Sequence, residues 1–242
     1  MISIVPLAGP DFVRPDGGLK PLTPVDGAPL LRRALDSRSW RRDGSLADEG
    51  LVFVLRDTDA SRGFVAEHLS AWYPAAQTVY LSSFTGGAAL SALAGLAPVA
   101  QREAPVCVDL VDILFEDTSR PGELFARDPR AGGLGLWSAS DNPIYSYFEG
   151  AETGRIVRVR EKQVISACAS TGVYWFRSPS VYLAAVGHSL DHRDELAHKG
   201  VIFVAPTLNG VIAAGWDVHA ARVTGVQDIK VEAPATPSTI GR

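Results

Sequence analysis

The chain is 242 residues long and 46% hydrophobic, enough for a sizeable core; we read it as a single domain over residues 1–230 followed by a flexible tail at 231–242. Its net charge of −4, with 23 Lys and Arg scattered and no basic run, argues against a surface that tracks nucleic acid. Cys107 and Cys168 stand apart in apolar stretches, which suits reduced core thiols, and the apolar start MISIVPLAG is too short for a secretion signal or membrane span, so a cytoplasmic protein is expected.

ISIVPLAG is a β-branched run closed by glycine, the pattern of a strand buried on both faces. LVFVLR at 51–56 and APVCVDLVDILF at 104–115 are two more such runs, with helix-like segments around 28–37, 61–72 and 86–97. This alternation predicts an α/β fold: a Rossmann-like mixed sheet, mainly parallel and flanked by helices, that binds ligands beyond the carboxyl ends of its strands. Chemistry is then expected just after Leu7, near Thr85 to Gly87, and at Asp112. After residue 130 the strand signals shorten: GRIVRVREKQVIS, ASTGVYWF and VIFVAPTLNGVIAAGWDVHAARV surround one helix near 178–190 and supply the other wall of the cleft. The closing residues are rich in Pro, Thr and Ala without an apolar period, hence the tail.

Four segments carry residues suited to phosphate chemistry. From Leu7 to Leu31 a strand ends at Ala8-Gly9, a glycine- and proline-rich loop follows, and Lys20 precedes a helix that starts near Pro29. Amides freed at such a turn cradle phosphate oxygens, and a lysine at the loop's end adds a mobile charge. In PVCVDLVDILFED, Asp109 and Asp112 are three apart, so in an extended strand they face opposite sides; Asp112, nearer the end, suits a hard Mg²⁺ in the cleft. Gly86 and Gly87 before an Ala-rich helix allow a flat base or sugar close to the backbone. Glu161-Lys162 ends one strand and Thr171-Gly172 opens another, so a charged pair and a glycine can meet at one edge of the site. Each segment also has a plain structural reading: a surface loop with an exposed lysine, a capping aspartate, tight packing of a small-residue helix, and a solvated hairpin.

Taken in order, these segments resemble the sugar-phosphate nucleotidyltransferases, which join a nucleoside triphosphate to a sugar 1-phosphate and release pyrophosphate. The resemblance spans about residues 2–229: LAG stands for the family's AAG-like turn, GLKPL for its KPL, and VDGAPLL for a DGKP-like turn. TGGAALSAL stands for the base-contacting glycine turn, Glu161-Lys162 for an EK pair, and TGVYWF for a TGLY-like strand. The resemblance implies that Leu7, Ala8, Gly9, Gly86 and Gly87 surround the nucleotide and that Lys20 binds phosphate. It further implies that Glu161, Lys162, Thr171 and Gly172 hold the sugar phosphate, and that Mg²⁺ or Mn²⁺ binds Asp112 and Asp228. The loop departs from the family's G-x-G-T-R. It reads Gly9-Pro10-Asp11-Phe12-Val13-Arg14, so the phosphate-stabilising arginine, Arg14, is displaced, Pro10 removes an amide donor, and Asp11 brings negative charge toward the phosphates. Asp228 lacks the Gly-Thr that follows the family's second metal-binding aspartate.

The resemblance implies an activity: in-line transfer of a nucleoside monophosphate to a sugar phosphate or similar phosphorylated small molecule, with Lys20 and Arg14 offsetting charge on the pyrophosphate. The partners expected are these two substrates, with no nucleic acid and no membrane; a homo-oligomer is compatible. Two rivals share the fold: a nucleotide-sugar glycosyltransferase using Asp109-x-x-Asp112 as its metal motif, and a silent binding protein. No G-x-S-x-G elbow occurs and no G-x-G-x-x-G follows the first strand, which disfavours hydrolase and redox readings. His188, His192 and His198 read as a polar surface of helix and loop.

Overall fold

Apolar runs of four to six residues form the centre of the sheet in a computed structural model that describes residues 1–100 and 103–229; the expected tail at 231–242 lies outside the described residues. In chain order the strands are β1 (Ile2–Pro6), β2 (Pro24–Val25), β3 (Ala28–Pro29), β4 (Leu51–Arg56), β5 (Gln77–Leu81), β6 (Val106–Asp109) and β7 (Ile113–Glu116). They continue with β8 (Ala131–Ala139), β9 (Ser146–Glu149), β10 (Arg155–Ile156), β11 (Arg158–Glu161), β12 (Cys168–Phe176), β13 (Asp217–Arg222) and β14 (Thr224–Asp228).

The main sheet runs β10-β13-β8-β12-β6-β1-β4-β5, with β9 pairing both β12 and β11. Its first half is parallel, β1 lying between β4 and β6, and β5 extending the edge. The direction reverses at β12, which is antiparallel to both β6 and β8. The expected α/β, Rossmann-like mixed sheet is therefore present, with its parallel character concentrated in the first half.

Side chains alternate between two cores. Ile2, Ile4, Val52, Val54, Val106 and Val108 enter one, beneath the helices Ala88–Leu96 and Pro179–Asp191. Val5, Phe53, Leu55 and Cys107 enter the other, beneath the helix Leu30–Ser37, whose Leu30, Leu31, Ala34 and Leu35 recur at helical spacing. Helices on both faces are why these strands read as continuous apolar runs rather than alternating ones. The helix Ala88–Leu96 packs close to the sheet: a Cβ on Gly95 would stand 2.5 Å from Val54 Cγ2.

Two expectations change, and one strand carries little sequence signal. The run 104–115 is two strands, β6 and β7, broken at 110–112 where Val111 adopts φ 53°. Residues 201–213 are largely helical, with Ala205–Thr207 and Leu208–Ala213 as short helices. There Val204, Leu208 and Val211 are all buried at spacings of four and three, the helical period inside an apolar run that resembles a strand. The edge strand β5 carries only half-buried residues, which weakens the apolar signal by which a strand is recognised. No described helix is long and apolar enough to cross a membrane.

Candidate functional site

The site is built at the carboxyl ends of β1 and β6. After β1, the Leu7 amide donates to Val54 O at 2.7 Å, and the chain turns through a 3-10 segment, Pro10–Phe12. Phe12 anchors this turn: it is buried and meets Phe64 edge-on with ring centroids 5.7 Å apart. The loop then folds back on itself through a bridge between Val13 and Leu19, and the Arg14 amide donates to Gly18 O at 2.8 Å. This return delivers Lys20 to the cavity, where its Nζ stands 2.5 Å from Asp11 Oδ2 and 2.5 Å from Asp112 Oδ1. Burial alone would lower the Lys20 pKa; Asp112 and then Asp11 outweigh it and hold the group above the ordinary lysine value.

Asp112 is aimed by a buried ion pair. Asp109, the last residue of β6, accepts from Arg38 Nε at 2.8 Å and Arg38 Nη2 at 3.0 Å, and both side chains are fully buried. The same carboxylate accepts the Val111 amide at 2.9 Å, and Arg38 Nη2 donates to Ile113 O at 3.2 Å. The turn 110–112 is thus clipped at both ends, which holds a β-branched valine at positive φ and turns the Asp112 side chain toward Lys20. From the other side, the Leu110 amide donates to Gly172 O at 3.0 Å.

Lys20, Asp11 and Asp112 line a cavity of about 550 Å³, a size that accepts small-molecule ligands. Leu7, Ala8, Gly9 and Gly87 line it too, and Phe84 and Phe203 belong to its largely apolar walls. Gly87 adopts φ 137°, and a Cβ there would collide with the Ile202 carbonyl, so no side chain intrudes at this wall. Gly86 accepts from the Ile202 amide at 2.8 Å, tying the glycine turn to the segment that carries Phe203.

No family model matches the chain, and no curated protein matches it in sequence. Solved structures do match in architecture. A nucleoside-diphosphate-sugar pyrophosphorylase from Vibrio cholerae superposes with a TM-score of 0.76 at 21% identity, covering 93% of this chain and 94% of that one. An inositol-1-phosphate CTP transferase from T. maritima gives 0.66 at 19% identity, covering 93% and 86%. A UDP-glucose pyrophosphorylase complexed with UDP-glucose gives 0.64 at 16% identity, covering 93% and 91%. The chain has the nucleotidyltransferase fold.

Within this fold the residues singled out from sequence do not all reach one cavity. Leu7, Ala8, Gly9, Lys20, Gly87 and Asp112 converge on the large cavity, with Gly86 adjoining it. Lys162 is not among its lining residues; its Nζ stands 5.6 Å from the ring centroid of Phe203, which is. Gly172 backs the 110–112 turn in a β-bulge of β12 at φ 78°, while Thr171 is buried and donates to Leu136 O at 3.1 Å. Glu161 is also buried and accepts from Ser146 Oγ. Arg14 is not among the cavity's lining residues: in the loop closed by the Val13–Leu19 bridge it pairs with Asp16 and donates to Thr23 Oγ1 at 3.1 Å.

Asp228 lines a second cavity of about 310 Å³, together with Ser138, Ser140, Tyr145 and Ser170. Its Oδ2 accepts from Tyr145 OH at 2.7 Å, and burial together with that carboxylate raises the phenol's pKa. Asp228 pairs through its backbone with Ile113, the residue after Asp112, so the two cavities adjoin across the turn. Sequence reasoning missed Arg38, Tyr145, Phe84 and Phe203. Arg38 carries no local signal, since its partner Asp109 lies 71 residues away.

Proposed function

We propose that this protein transfers a nucleoside monophosphate from a nucleoside triphosphate to a phosphorylated small molecule, a sugar phosphate by preference, releasing pyrophosphate. The observation that carries the reading is the contact of Lys20 with Asp112 in a cavity at the strand ends, in a fold shared with solved pyrophosphorylases and nucleotide transferases. Lys20, held cationic, would offset charge on the departing pyrophosphate. The open wall at Gly87 would admit the base, and the apolar walls would exclude water from the phosphates. Lys162 would align the attacking phosphate, which needs no general base because a phosphate monoester is already ionised near neutral pH. Arg14 would contribute only after release from Asp16 and Thr23.

The residues present fit Mg²⁺ or Mn²⁺. Asp112 offers a carboxylate at the cavity wall, and such hard cations take one or two protein carboxylates and complete their shells with phosphate and water. Among the described residues no group of three or more His, Cys, Asp or Glu is gathered into a protein-only cage, which agrees with a cation that arrives with the triphosphate. Asp228, beside Ile113, is the second carboxylate within this plan. When bound, the cation would neutralise charge on the phosphate oxygens. The acceptor's body would occupy the second cavity, whose hydroxyl groups suit a polyol.

The test is incubation of the purified protein with Mg²⁺, each common nucleoside triphosphate and a panel of sugar phosphates. Pyrophosphate formed together with a nucleotide sugar is the expected result. Release of a nucleoside diphosphate from a nucleotide sugar would instead identify a glycosyltransferase, and binding without turnover would leave a silent binding protein.

A further inference from the structure

The phosphate turn of this chain is covered by one of its own carboxylates. Asp11 sits between Pro10 and the buried Phe12, so its backbone is anchored, while its side chain is 57% exposed and lines the cavity. One carboxylate oxygen reaches Lys20 at 2.5 Å. The other lies 2.6 Å from where a Cβ on Gly9 would stand, so the group bridges the lysine and the glycine of the turn. A phosphate held by Lys20 and the Gly9 turn needs the same place.

The charge balance sharpens this. Lys20 contacts both Asp11 and Asp112, so its charge is already engaged by two carboxylates before any ligand arrives. A polyphosphate adds negative charge to that cluster, and a divalent cation reverses the sign of the encounter. We propose that Asp11 makes phosphate binding at Lys20 conditional on a divalent cation: without it the carboxylate keeps Lys20 and repels the phosphates, and with it the carboxylate yields. The inference rests on the nucleotidyltransferase reading of this cavity and assigns Asp11 a selecting role for the metal-complexed triphosphate over the free one.

Inorganic tripolyphosphate is a suitable probe because it needs no base recognition. Its affinity for the full chain is measured by calorimetry, once in excess Mg²⁺ and once in EDTA, for the parent, Asp11→Asn and Asp11→Ser. In EDTA both variants should bind about tenfold tighter than the parent, while in Mg²⁺ the three should agree within about threefold. Agreement of both substitutions shows that lost charge, not altered packing, produces the gain. Equal gains in both conditions, weaker binding of the variants in Mg²⁺, or no binding by any of the three would each overturn the proposal. The transferase reading fails separately: absence of pyrophosphate release with every substrate pair, alongside the expected tripolyphosphate pattern, would remove that reading and leave the role of Asp11 standing.

Discussion

The two cavities meet at residues 110–113 yet differ in chemistry. The larger one opens at the ends of parallel strands, where connecting loops are long, and it combines apolar walls with one cation between two carboxylates. The smaller one is lined by antiparallel strands and by the β7–β14 pair, and presents Ser138, Ser140, Tyr145, Ser170 and Asp228. Loops from parallel strand ends can gather charges distant in sequence, whereas a pleated wall offers alternate side chains at regular spacing. In the proposed reading the first arrangement would manage phosphate charge, and the second would recognise hydroxyl groups by hydrogen bonds.

The largest break in this comparison would come from the buried pair behind the turn. Arg38→Met leaves the Asp109 carboxylate buried without its cation and should lower stability by about 3–5 kcal/mol, read as a shifted denaturation midpoint. A loss under about 1 kcal/mol would mean that the pair does not hold the turn. Next, Asp112→Ala should reduce kcat by about a hundredfold to a thousandfold with the fold intact by circular dichroism; undiminished turnover would remove Asp112 from the site. A smaller change is expected in the second cavity, where Tyr145→Phe frees Asp228 Oδ2 from its phenol and should raise KM for the acceptor about fivefold, ~1 kcal/mol. An unchanged acceptor KM would remove Tyr145 from acceptor binding.

The smallest effect is one of pH. The Lys20 pKa is raised in the folded chain, so the stabilisation from its ion pairs is complete below the unfolded lysine value of roughly 10.4 and is lost only as pH rises through the higher folded value. Stability attributable to Lys20, taken as the difference between the parent and Lys20→Met in denaturant titrations, should stay level from neutral to mildly alkaline pH. A decline of that difference between about pH 7 and 9 would contradict the cationic Lys20.

Much of the larger cavity was legible in the chain, because its parts sit at strand ends marked by glycine and charge. Lys20, Asp112 and Gly87 do meet there. Arg14 was placed by motif spacing alone, and the Val13–Leu19 bridge turns it toward Asp16 and Thr23. The run 104–115 read as one strand because its apolar residues give no sign that Val111 takes positive φ, a conformation held by a carboxylate and an arginine from a different element. Asp11 was recognised as a negative charge in a phosphate loop, but its contact with Lys20 depends on the way the loop doubles back.

The central strands β1, β4 and β6, their burial on two faces and the α/β class follow from the amino-acid sequence by itself, since periodicity and turn residues act over a few neighbours. Which charges converge was decided by tertiary structure. Arg38 and Asp109, Lys20 and Asp112, and Tyr145 and Asp228 are each brought together from opposite parts of the chain, where burial makes pairing obligatory or a loop's return path makes it possible.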